Sequence, residues 1–286
     1  MQKTIAIVTD SACDLPKEIV AKYDIHVVPL RITYTTGEYR DGVEISAEEI
    51  YSRLPQEIPK TSLPAAEDIE AVYDTLIEQG VKDIVQFCVS SGLSGTYNQV
   101  RLVAQRYAQR VNIHIVDTLS LSMQEGMMVW EFAKKMEAGA SLKEGLEHVQ
   151  ALRQHSLGAF VIQTLEYLRK GGRIGLVEGV VGTLLQLKPI IFVNDNGVYQ
   201  TLAKARGYER AIDMMMEAML EKFEKRMINI CVVYGAAREE GEKLLNKLKS
   251  LLNIQGDMLL PVSPVLGVHT GPSLVGIVAY EVAPGA

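Results

Sequence analysis

Short apolar runs at residues 4–8, 83–89 and 112–116 alternate with longer stretches of helical periodicity. Apolar runs of this length without polar alternation read as strands buried on both faces, and interleaved helices are what cover such strands. The first part of the chain is therefore expected to be α/β, with a mainly parallel sheet covered by helices. Helices are expected at about 16–24, 46–54, 65–79, 96–110, 120–138 and 141–155. Pro16 suits a first helical turn, Ser46-Ala47-Glu48-Glu49 has capping-box spacing, and Gly80 closes the third helix. Residues 26–34 read as one β-rich run before a Thr36-Gly37 turn, and residues 59–64 as a loop.

From about Gly158 the rhythm changes. A helix carrying Leu165 to Arg169 ends at Gly171-Gly172, and a strand over 189–193 meets Asp195-Asn196-Gly197, which has hairpin chemistry. Helices near 207–225 and 237–252 and strands near 227–234, 258–262 and 274–282 follow. The second part is thus expected to hold a mixed sheet with antiparallel pairing. A chain of 286 residues suits two packed lobes. The expected division is an N-terminal α/β lobe over 1–157 and a C-terminal mixed α/β lobe over 158–286, with a crevice between them.

Composition narrows the function. Twenty-nine Lys and Arg against 35 Asp and Glu give a net charge of −6, which argues against general nucleic-acid binding. Cys13, Cys88 and Cys231 show neither disulfide nor zinc spacing and read as small core residues. Met1-Gln2-Lys3 lead straight into a strand pattern, leaving no room for a leader, and no apolar run reaches the roughly 18–20 residues of a membrane span. The expected location is the cytoplasm.

Three segments could carry chemistry. Ser90-Ser91-Gly92-Leu93-Ser94-Gly95-Thr96 joins a strand to a helix, where backbone N–H groups and hydroxyls can hold an anion, or where Ser94 merely caps the helix. Lys60-Thr61-Ser62-Leu63-Pro64 is also hydroxyl-rich and also precedes a helix. Leu266-Gly267-Val268-His269-Thr270-Gly271-Pro272 reads as a glycine-bounded loop whose histidine can donate to an oxyanion or serve structure alone. A hydrolase elbow needs Gly-x-Ser-x-Gly, and Gly92-Leu93-Ser94-Gly95-Thr96 has its second glycine one position too early and Thr96 at the last position. His26, His114, His148 and His155 lack metal-ligand spacing, and neither a dinucleotide fingerprint nor a P-loop occurs. Arg169, Lys170 and Arg173 make a basic patch around Gly171-Gly172. Met123, Met127, Met128 and the run Met214 to Met216 fill a core or line an apolar tunnel.

Taken in series, these segments resemble the DegV family over almost the whole chain. The marks are Val8-Thr9-Asp10-Ser11, Lys60 through Pro64, Ser90 through Thr96, Asp117, Leu168 through Ile174, Lys188-Pro189-Ile190, Ala205-Arg206 and His269-Thr270-Gly271. Thr118 stands where a serine is expected and Ser273 where a glycine is common. The resemblance implies a two-lobed fatty-acid-binding protein rather than an enzyme. Thr61 and Ser94 would take the acyl carboxylate, with Ser62 and Gly95 in the same loops and His269 close by. Arg173 and Arg206 would face a partner fatty-acid kinase, which makes acyl phosphate for phospholipid synthesis. A long-chain fatty acid is the ligand implied, with neither metal nor other cofactor. The alternatives are a lipid hydrolase using Ser94, a small-molecule phosphotransferase, and a lipid-responsive regulator that binds a protein without any kinase.

Overall fold

The computed structural model describes residues 4–180 and 187–282. Met1 to Lys3 and the last residues of the expected second lobe lie outside them. The chain opens with β1 (Ile5–Asp10), α1 (Lys17–Tyr23) and β2 (Ile25–Val28). It continues through β3 (Arg31–Tyr34), β4 (Gly37–Arg40), α2 (Ala47–Arg53) and β5 (Lys60–Ser62). Next come α3 (Ala66–Glu78), β6 (Asp83–Cys88), α4 (Thr96–Gln105) and β7 (Asn112–Asp117). Strands β2-β1-β6-β7 form the expected parallel sheet.

The single β-rich run expected over 26–34 is instead two strands in different sheets. Pro29 cannot donate to a ladder, so the chain leaves the parallel sheet there. It enters a small antiparallel sheet ordered β4-β3-β5. That sheet also corrects the expected loop over 59–64, since Thr61 pairs with Ile32.

Two helices follow, α5 (Met123–Glu137) and α6 (Leu142–Gln154). The first begins later than its periodicity suggests, because Leu119 (φ 48°) and Ser122 (φ 55°) take left-handed backbone that no helix accepts. The second carries a full capping box between Ser141 and Glu144.

The remaining elements are β8 (Ser156–Val161), α7 (Glu166–Lys170), β9 (Leu187–Val193), β10 (Tyr199–Arg206), α8 (Tyr208–Phe223), β11 (Met227–Tyr234), α9 (Arg238–Lys249), β12 (Asn253–Pro261), α10 (Pro264–Thr270) and β13 (Val275–Glu281). Their strands form one mixed sheet ordered β10-β9-β8-β13-β11-β12, parallel only between β11 and β12. The expected division after residue 157 falls inside β8. The glycine-bounded loop expected over 266–272 is a buried helix, α10, with Pro264 in its first turn. Gly267 belongs there because a Cβ would sit 2.9 Å from the Tyr51 hydroxyl.

Helix α5 lies between the two sheets and packs on β1, β6, β8 and β13. One apolar core therefore joins Ile7, Val85 and Phe87 of the first sheet to Cys231, Val233 and Val278 of the second. Met123, Met127 and Met128 are buried in it. Met215 and Met216 fill a second core under α8 and α9. All three cysteines are buried and free. Among the described residues, no helix is long and apolar enough to cross a membrane.

Candidate functional site

The turn after β6 is held against both lobes. Ser90 N donates to Ser120 O (2.8 Å), and the Ser90 hydroxyl donates to Gly197 O in the β9–β10 turn (2.6 Å). A Cβ at Gly92 would stand 2.6 Å from that same Gly197 oxygen, so only glycine allows the approach. This seats the Asp195-Asn196-Gly197 hairpin turn on the hydroxyl-rich loop.

Ser94 stands one position before Gly95, the N-cap of α4, and walls a cavity. Its hydroxyl accepts from Thr96 N (3.3 Å) and shares a hydrogen bond with the Thr96 hydroxyl (2.8 Å). It lines that cavity with Thr61, Ser62, Arg173 and His269. Four of the residues singled out from the sequence, Thr61, Ser62, Ser94 and His269, thus meet in one place. Gly95 does not line that cavity among the described residues. It begins α4, where a Cβ would press on the Leu63 side chain at 3.2 Å.

The histidine is the centre of the polar wall. Thr61 Oγ1 and His269 Nε2 are 2.8 Å apart, across 208 positions of sequence. Burial, and after it the nearby Arg173 charge, lowers the His269 pKa from its usual 6.5 to about 3, so the imidazole is neutral. Its Nδ1 is buried without a hydrogen-bond partner. A Cβ at Gly171 would overlap that nitrogen, so the glycine before Arg173 makes room for the ring.

Arg173 is half-buried on the wall of the same cavity. The turn at Gly172 (φ 71°) folds it back, where it donates to Gly171 O (2.7 Å) and Leu93 O (3.4 Å). It is the one guanidinium on the cavity wall among the described residues. Arg206 is elsewhere, at the exposed end of β10 opposite Leu187.

A second cavity adjoins the first, and sequence reasoning missed it. The two share Leu121, Tyr199 and Leu266. The second is walled mainly by apolar side chains such as Phe160, Val193, Val233, Leu274 and Val278. Each cavity measures about 50 Å³, room for a few water-sized groups.

Leu121 sits in a loop pinned from several directions. Ser122 N donates to Ala12 O (2.7 Å), Leu119 N to the Asp117 carboxylate (3.1 Å), and the Thr118 hydroxyl to Cys88 O (2.8 Å). Threonine in place of the expected serine therefore keeps a hydroxyl in use. Among the described residues, no group of three or more His, Cys, Asp or Glu side chains is placed to hold a metal ion.

The profile of the family described as "Uncharacterised protein, DegV family" matches residues 4–282. A DegV domain-containing protein of Clostridium acetobutylicum is 39% identical over 277 residues, spanning 97% of this chain and 99% of its own. A solved Thermus thermophilus structure, described as fatty acid binding of a DegV family protein, superposes with a TM-score of 0.92 at 32% identity, covering 98% of this chain and 100% of that one. A stearic-acid-binding protein from Eubacterium ventriosum superposes with a TM-score of 0.88 at 30% identity, covering 97% and 98%. By sequence and by fold, the chain belongs to the DegV family.

Proposed function

We propose that the protein binds one long-chain fatty acid and presents its carboxylate to a partner ATP-dependent fatty-acid kinase, for acyl phosphate and phospholipid synthesis in the cytoplasm. The observation that carries this reading is the junction at Leu121, Tyr199 and Leu266, where a polar cavity abuts an apolar one. That is the shape of an amphiphile with one anionic end. Ser62 and Ser94 supply hydroxyl donors to the head, Thr61 donates its own hydroxyl while accepting from His269 Nε2, and Arg173 supplies the compensating charge.

The energetics suit a carrier. About 14 buried methylenes at about 0.8 kcal/mol each contribute on the order of 11 kcal/mol before the cost of association. The tail holds the ligand while the head orients it. A hydrolase reading has less support, because the Ser94 hydroxyl bonds Thr96 instead of an imidazole base.

The test is mass spectrometry on an organic extract of freshly purified, denatured protein. Near-stoichiometric free fatty acid supports the reading. A clean extract, with no uptake of added fatty acid by folded protein, rejects it. Arg206, exposed and away from the cavity, is proposed to face the kinase. Arg206→Ala is expected to leave lipid occupancy intact while slowing kinase-coupled turnover about tenfold or more, on the order of a lost charge-assisted hydrogen bond. Equal loss of lipid would place Arg206 in ligand binding instead.

A further inference from the structure

The opening motif Val8-Thr9-Asp10-Ser11, with Asp14 beyond it, touches the polar cavity only through Ala12. Asp10 is nevertheless buried and Asp14 half-buried, and their carboxylates hold the segments from which that cavity is built. Asp10 accepts from Val89 N (2.7 Å) and Ala12 N (3.0 Å), and both residues line the cavity. Asp14 accepts from Ser263 N (2.8 Å) and from the Ser122 hydroxyl. Asp41 accepts from Val265 N (2.8 Å) and from the Ser11 hydroxyl, which in turn accepts from Leu30 N (3.0 Å).

Ser263 and Val265 flank Pro264, the first residue of α10. A helix begins with N–H groups that have no partner inside it, and an N-cap side chain usually satisfies one. Ser263 holds the N-cap position of α10 and makes no side-chain cap bond. Pro264 has no N–H to offer. The N–H groups on either side of it are taken by two carboxylates that lie more than 220 residues away in sequence, Asp14 and Asp41. The same short helix then presents Val265, Leu266 and His269 to the cavity. Four residues separate Val265 from His269, about 6 Å of helix rise, so a shift at the capped end moves the imidazole.

We propose that Asp14 and Asp41 are positioning residues: they cap α10 from the opposite lobe and so fix His269 against Thr61 in the head pocket. This rests on the reading of that pocket as the carboxylate site. It gives Ser11 of the opening motif a task, because its hydroxyl holds the Asp41 carboxylate.

The test titrates palmitic acid into delipidated full-length protein and records the His269 imidazole NMR signals of each variant. Asp14→Ala and Asp41→Ala are expected to weaken binding about tenfold or more and to shift those signals. Asp41→Asn, which keeps an acceptor oxygen in place, is expected to bring both back to near the wild-type values. Glu48→Gln, a neighbour in the surface groove that Asp14 and Asp41 also line, is expected to change neither. Should the alanine variants fail to fold, Ser11→Ala removes one hydroxyl that supports Asp41 and is expected to shift the imidazole signals in the same direction. Folded alanine variants with wild-type affinity and unmoved signals would overturn the proposal. Wild-type protein that takes up no palmitic acid would instead reject the carboxylate reading, while the imidazole signals still decide whether the cap positions His269.

Discussion

The polar cavity and the apolar cavity are built by opposite strategies. The polar one draws Thr61 from a small antiparallel sheet, Ser94 from a turn after the parallel sheet, Arg173 from the turn after α7, and His269 from α10. Each side chain has a named partner or a glycine cleared for it. The apolar one uses one face of the mixed sheet and the flank of α10, with side chains that would serve in any core. Orientation of a ligand thus resides in a few polar groups with fixed bonds. Capacity resides in shape, which many sequences could supply. Changes to the two regions should therefore differ in kind.

The largest effect is expected where capacity is removed. Val278 lies on the apolar wall, buried in the core shared by both sheets. Val278→Trp is expected to displace about four methylenes of chain, some 3 kcal/mol or about 200-fold in affinity. Isothermal titration with palmitic acid would show it, with near-UV circular dichroism reporting an intact fold. Unchanged affinity would mean the acyl chain runs elsewhere.

A smaller, head-specific effect is expected at Gly171. An added methyl overlaps His269 Nδ1, so Gly171→Ala must move either the ring or the turn that carries Arg173. Affinity is expected to fall about tenfold, and chain-length preference is expected to stay as in the wild type, since the tail wall is untouched. A changed chain-length profile would erase the separation between the two regions.

The same contrast explains what the sequence displayed. The parallel sheet was legible because β1, β6 and β7 are mainly apolar, with Gln86 and His114 among the interior exceptions. Strand β10 was not, because Gln200, Lys204 and Arg206 interrupt its pattern, as suits the exposed edge of a sheet. Strand β8 hid behind Ser156 and Gly158, small residues without β preference. Helix α10 was misread as a loop because Gly267 interrupts its middle and Gly271 ends it. Thr61, Ser94 and His269 stood out because hydroxyls and a histidine beside glycines have few uses in a core. Arg173 stood out too, yet its side chain turns inward at Gly172, which no linear pattern reveals. Val193, Val233 and Val278 carried no signal, since a cavity wall and a packed core draw on the same residues.

The smallest expected effect concerns the charge beneath the polar cavity. Burial raises the Asp10 carboxyl from its usual 3.8 to about 7, with the nearby Asp14 adding to the rise and the N–H groups of Val89 and Ala12 opposing it. Burial likewise raises Asp41 to about 7 and Asp14 to about 6, and it raises Glu125, which faces Asp10 from α5. A carboxyl that binds its proton more tightly in the folded chain lends stability fully below about 3.8, and that stability is lost as pH rises through the folded value. His269 acts in the other direction, because its lowered pKa lends stability above 6.5 that is lost as pH falls toward 3. At pH 6.5 the unfolded imidazole is still half protonated, but wild type and an Asp10 variant share that contribution, and the carboxyls make the protein less stable as the solution becomes more alkaline toward pH 7. Asp10→Asn removes one titrating group and keeps an acceptor oxygen for Val89 N. The slope of unfolding free energy between about pH 6.5 and 8 is expected to become shallower, by at most about 1.4 kcal/mol per pH unit. Val278→Trp, which leaves these carboxyls in place, is expected to keep the wild-type slope. Parallel slopes for Asp10→Asn and wild type in denaturant titrations would show that Asp10 does not change its charge in this window. A shallower slope for Asp10→Asn alone would locate the pH response under the polar cavity and leave the apolar one outside it.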